Sequence, residues 1–221
     1  MVRIGAVVRN VSGSPRGFWG AARRRTPPDT PAALRAAVAA SAEALRPATG
    51  ADWTVRAGGL EWDCARTAVH LADVLFSYAA QLATRAPHAY VPACVGAEDG
   101  ATPDGLVEAV RATGTMLAAV AETAPPGARG YHRTGMASAA DFAAMGAVEV
   151  LAHTHDLATG LGLDFDPPAG VCSAVLDRLF PGMPEGAGPW ETFLWATGRG
   201  ELPGLDRRTE WVWRLPAPAD G

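Results

Sequence analysis

The sequence predicts an all-α protein, an antiparallel four-helix bundle carrying short extra helices and a C-terminal strand. Three observations predict it. Four long segments place apolar residues at helical spacing, and no stretch between them alternates in the manner of a competing strand. Three of the four open on a hydroxyl residue with a helix-start signal, Thr30-Pro31, Thr102-Pro103 and Ser138 with Asp141. A chain of 221 residues suits one well-buried domain or at most two small ones.

Residues 1–30 hold Gly, Pro, Ser and Arg without a sustained period and are expected to form a flexible N-terminal extension. The domain is assigned to residues 31–221. In "TPAALRAAVAASAEALRP", Thr30 is the expected N-cap and Pro47 the stop. After a loop with "DWTVRAGG", a second helix is expected from about Trp62 to Thr84, with Val69, Leu71, Val74, Leu75, Tyr78 and Leu82 at helical spacing. "TPDGLVEAVRATGTMLAAVAET" gives the third, closed by Pro125-Pro126. "SAADFAAMGAVEVLAHTHDLATGLG" gives the fourth, with a capping-box start and Gly160 and Gly162 at its end. "PPAGVCSAVLDRLF" and "GPWETFLWATGR" read as shorter helices, and "TEWVWRL" alternates as a short strand does.

Composition removes whole classes of function. All 19 basic side chains are Arg, so lysine Schiff bases, a pyridoxal phosphate anchor and a Walker A lysine are excluded. A net charge of −4 argues against nucleic acid as partner. No apolar run reaches the ~20 residues of a membrane span. Cys64, Cys94 and Cys172 are odd in number and widely spaced, as expected of reduced thiols in a cytoplasmic protein.

The fourth helix carries the chemistry. At its turn angle Glu149, His153 and Asp156 fall within about 60° of one another, while His155 points elsewhere. Phe142, Met145 and Gly160 share that stripe, so it faces inward, where a carboxylate and an imidazole are costly unless paired or coordinated. On the second helix, Asp63, Arg66, Thr67, His70, Asp73, Ser77 and Gln81 form a polar seam centred on His70. Asp63, Asp73 and Gln81 read as a solvated face, whereas His70 sits between Val69 and Leu71. His70, Glu149 and His153 are a candidate three-ligand metal set; paired ions on a helix face remain equally open from spacing. Arg66, one turn before His70, is a candidate clamp for a substrate carboxylate, and Asp156 a candidate acceptor behind His153. His88 and His132 fall in loops and receive no role.

"WDCARTAVHLADVL" (Trp62 to Leu75) and "GAVEVLAHTHDLATGLGLDFDPP" (Gly146 to Pro168) resemble the hallmark segments of the DinB-like helical-bundle metalloenzymes. The branch they resemble most is the N-terminal domain of mycothiol-dependent maleylpyruvate isomerases. There a Trp precedes a metal-binding His by eight residues, as Trp62 precedes His70, and Glu, His and Asp follow as Glu149, His153 and Asp156 do. The resemblance implies a divalent metal, zinc foremost, on His70, Glu149 and His153, with mycothiol as co-substrate. It implies a metal-dependent thiol transferase or isomerase acting on an electrophilic small molecule. The other readings are a non-catalytic metal- or ligand-binding bundle, and a bundle enzyme using metal-bound water or no metal. The expected partners are a small-molecule substrate and a second copy of the chain in a homodimer, with neither nucleic acid nor membrane.

Overall fold

The computed structural model describes residues 29–210 and Leu215. Residues 1–28 of the expected extension, and Trp211 to Arg214 of the expected C-terminal strand, lie outside the described residues.

Four helices make the bundle: α1 (Thr30–Leu45), α2 (Cys64–Thr84), α3 (Pro103–Thr123) and α4 (Ala139–Leu161). Their starts follow from side chains that satisfy first-turn N–H groups. Asp63 accepts from the Arg66 N–H at 2.7 Å, and Thr102 from that of Gly105 at 3.2 Å. The Ser138–Asp141 capping box closes as expected, and α4 stops at Gly162 in the left-handed region. Two boundaries differ from the sequence reading, α1 starting earlier and α2 later. Asp29 caps α1, accepting from Ala32, and Thr30 is instead a buried first-turn residue. The second helix begins at Cys64, so Trp62 belongs to the preceding loop.

In the bundle α1 packs beside α3 and α4, and α2 packs beside the same two, leaving α1 and α2 diagonal to each other. The fourth helix is buried on nearly every side, with Phe142, Met145, Leu151 and Leu157 fully enclosed. Its Thr154 hydroxyl donates to that of Ser41 of α1 at 2.6 Å, so this buried pair satisfies itself. Two short helices follow: α5 (Ala169–Leu179) covers one flank of α1 and α4, and α6 (Pro189–Ala196) packs on α5. Arg178 of α5 ion-pairs with buried Asp141 at 2.7 Å, fastening that flank to the start of α4. Among the described residues no helix is long and apolar enough to cross a membrane.

One element departs from the expectation of no strands between the helices. Residues Arg129–His132 (β1) and Gly135–Ser138 (β2) form an antiparallel hairpin closed by Arg133 and Thr134. Four-residue strands are too short for alternation to show, and this pair is held from outside. Gln81, read as solvated, is fully buried. Its amide nitrogen donates to the Ala89 and Tyr131 carbonyls, and its amide oxygen accepts from the Val91 N–H.

The loop between α1 and α2 is also ordered by backbone bonds. Ala57 donates to the Trp62 carbonyl at 2.9 Å, and Cys64 to that of Val55 at 2.9 Å. Trp53 is buried beneath it, with its indole N–H on the Ala48 carbonyl. The loop lies directly on the end of α4 because two residues lack a side chain. A Cβ on Gly160 would overlap the Arg56 carbonyl and reach 3.0 Å from the Ala57 Cα, and Gly58 lies against the Asp156 backbone. Replacing Gly160→Ala therefore pushes the loop off α4. Urea unfolding is expected to show a loss of about 1–3 kcal/mol, opposite in sign to the gain that Ala normally gives within a helix.

Candidate metal centre

Where α2 and α4 face each other, the donor atoms of His70, Glu149 and His153 all lie within 4.8 Å of one another. The Nε2 of His153 stands 3.3 Å from Oε2 of Glu149, one helical turn earlier. The imidazole of His70 reaches across from α2, its ring centroid 5.2 Å from that of His153 in an edge-on arrangement. Trp62 packs edge-on against the other side of His70, at 5.1 Å, so the α1–α2 loop sets that ring's orientation.

Two of the three donors have their second polar atom engaged elsewhere, His153 through Nδ1 and Glu149 through Oε1. The Nδ1 of His153 lies 3.1 Å from Oδ2 of Asp156, one turn further along α4. Asp156 is itself held by both arms of Arg199, Nε to Oδ1 at 2.9 Å and Nη2 to Oδ2 at 2.6 Å. The hydroxyl of buried Tyr78 donates to Oε1 of Glu149 at 3.3 Å. What stays free to converge is Nε2 of His153 and Oε2 of Glu149, beside the His70 ring. Two imidazoles and one carboxylate suit a divalent cation that retains an open position, and partners fixing the far side of each ligand are the usual complement of such a set.

Burial disfavours charge throughout the cluster, and the local partners decide which groups keep it. For His70 burial prevails, reinforced by His153, and its pKa falls below the ordinary imidazole value. For His153 burial is outweighed by hydrogen bonds to Asp156 and Glu149, which raise its pKa above that value. Burial likewise pushes Glu149 and Asp156 upward. The bond from His153 holds each carboxyl below its usual range, helped by nearby positive charge, and for Asp156 by Arg199 directly. The surroundings thus favour the protonated form of His153, which stands between two carboxylates, and the neutral form of His70.

The other residues singled out in the sequence fall in different places. Asp156 stands directly behind His153. Arg66 is exposed, its guanidinium carbon 4.7 Å over the Trp62 ring, and so lies one contact beyond His70. Asp73, from the seam read as solvated, accepts the Val95 N–H at 2.8 Å, and Asp63 caps α2. His155 leaves the cluster, as its angle predicts, and meets Trp190 edge-on at 5.8 Å. Trp190 in turn stacks on Phe193. Cys64 and Cys172 are buried, which pushes their thiols up to about 11 and about 12, far from nucleophilic.

Sequence reasoning missed three neighbours of the site. Tyr78 reads as one more apolar position on α2. Arg199 lies 43 residues from Asp156 and leaves no periodic signal. His132, given no role as a loop residue, is buried on β1 with its ring 5.8 Å from that of Tyr78, and burial pushes its pKa down to about 4. Only the unfavourable placement of acidic Asp156 near a helix C-terminus hints that a cation must answer it.

A family model described as mycothiol maleylpyruvate isomerase N-terminal domain matches residues 34–158, a stretch that contains all three candidate ligands and Asp156. No curated protein and no solved structure matches the chain.

Two outcomes follow from the geometry. A cation on Nε2 must displace the proton of His153, so zinc affinity should fall roughly tenfold per pH unit below the raised pKa of that ring and level off above it. Calorimetric titration across pH 5 to 9 measures this, and a pH-independent affinity would contradict it. Tyr78→Phe removes the donor on Glu149, and should cost about 1 kcal/mol of stability in denaturant and about tenfold in zinc affinity.

Proposed function

The chain belongs to the family of the mycothiol maleylpyruvate isomerase N-terminal domain, and from that premise we propose that it is a divalent-metal-dependent enzyme using a small thiol, mycothiol or a close analogue, on an electrophilic small molecule. The observation that carries the reading is the convergence of His70, Glu149 and His153 on one point, each with its outer polar atom or ring face already held. A cation bound there, zinc foremost, supplies Lewis acidity that lowers the pKa of a thiol.

The chain's own residues do the rest. Asp156 accepts from His153 Nδ1–H and so turns Nε2 toward the cluster, while Tyr78 ties down one oxygen of Glu149. Trp62 walls the His70 side and keeps that ring from swinging. Arg66 rests on Trp62 with no carboxylate partner among the described residues, so its planar fork is free for an anionic group on thiol or electrophile. Addition of the thiol to an activated double bond, followed by rotation and elimination, gives isomerisation; addition that is not reversed gives transfer.

The test is thiol-dependent turnover of an activated electrophile, followed with mycothiol in excess. Chelator-treated protein should be inactive and zinc should restore it, with His153→Ala inactive under both conditions. Arg66→Leu should raise KM about tenfold for a carboxylate-bearing substrate and leave kcat nearly unchanged. Turnover that persists after metal removal would overturn the reading.

A further inference from the structure

We propose that Arg199 is a positioning residue of the metal centre, acting through Asp156 to fix the imidazole of His153, so that the C-terminal helical flank is part of the site. The inference rests on the metal-centre reading above. Arg199 lies outside residues 34–158, the stretch matched by the family, and so represents a contribution of this chain's C-terminal part.

Phe193 and Trp195 of α6 are buried, which seats the helix. Its C-terminus turns back at Gly198, in the left-handed region with φ of 72°, and the Leu194 carbonyl accepts from the N–H of Arg199 at 2.7 Å and of Gly200 at 3.0 Å. That turn aims the Arg199 side chain at the end of α4. There Nε and Nη2 take the two oxygens of Asp156, and Nη1 donates to the Thr197 carbonyl at 3.2 Å. All three guanidinium nitrogens are therefore engaged, and the side chain is only 13% exposed. It has little capacity left to bind a ligand, which separates it from Arg66.

The bidentate grip fixes the plane of the carboxylate, not merely its position. Oδ2 is shared between Nη2 of Arg199 and Nδ1 of His153, at 2.6 and 3.1 Å. Behind Asp156, Gly58 of the α1–α2 loop lies against its backbone. With Oδ2 so placed, the ring of His153 has one orientation that satisfies Nδ1, and in it Nε2 faces Glu149. A carboxylate without its guanidinium would be free to rotate, and the ring with it.

Arg178 makes a similar pair with buried Asp141 at the opposite end of α4, away from the cluster. R199Q, D156N, the double variant and R178Q are compared by zinc competition against a chromogenic chelator, with helical circular dichroism to confirm folding. R199Q and D156N should each weaken zinc binding roughly 10–100-fold, and the double variant should bind no worse than D156N. R178Q should lower thermal stability and leave zinc affinity unchanged. Wild-type affinity in R199Q, or losses that add in the double variant, would overturn the proposal. Should R199Q fail to fold, R199K keeps the charge but not the fork, and is read the same way. Should the wild-type protein take up no zinc, the metal reading falls by itself. The Arg199 link is then judged by the Nδ1–H proton resonance of His153: broadening or loss in R199Q supports it, and an unchanged resonance overturns it.

Discussion

The interaction on which the site depends is the pair of carboxylates that flank the two nitrogens of His153. The ring sits on the most enclosed helix of the bundle, where a lone imidazole beside two carboxylates would be expensive to keep. Nδ1 is answered by Asp156 and Nε2 faces Glu149, both on the same helix at one-turn spacing. Three polar residues on a core-facing stripe are thereby mutually satisfied. The price of that arrangement is that each partner must itself be held.

Those second partners come from outside α4. Tyr78 and His70 come from α2, Trp62 from the loop before it, and Arg199 from the turn after α6. The bundle is therefore more than a scaffold for one helix. The loop reaches the site because Gly58 and Gly160 let backbone approach backbone, and Gln81 ties the hairpin to α2 by donating to the Tyr131 carbonyl of β1. Charge follows the same logic. Arg199 balances Asp156, so the cluster approaches neutrality when His153 carries a proton, and the same carboxylates favour a cation that replaces it.

How much of this the sequence disclosed depended on range. Helix starts were legible because the capping residue and its target lie three residues apart: Ser138 with Asp141, Thr102 with Gly105. The triad was legible because Glu149, His153 and Asp156 share one helical face, and because His70 interrupts apolar neighbours. Contacts across elements were not legible. Gln81 sits on a seam with Asp63 and Asp73 and reads as solvated until the hairpin closes over it. Tyr78 looks apolar until its hydroxyl meets Glu149, and Arg199 is one arginine among many until α6 aims it at Asp156. The family resemblance read from the Trp62–His70 and Glu149–His153–Asp156 spacings is the one that the family match over residues 34–158 supports.

The central claim is that three side chains, and no cysteine, share one divalent ion. X-ray absorption at the zinc edge of the reconstituted protein addresses it most directly. The account predicts a four- or five-coordinate ion with two imidazoles and an oxygen donor at about 2.0–2.2 Å and no sulfur in the absence of added thiol. A shell containing one imidazole or none, or a protein sulfur at about 2.3 Å, would contradict it.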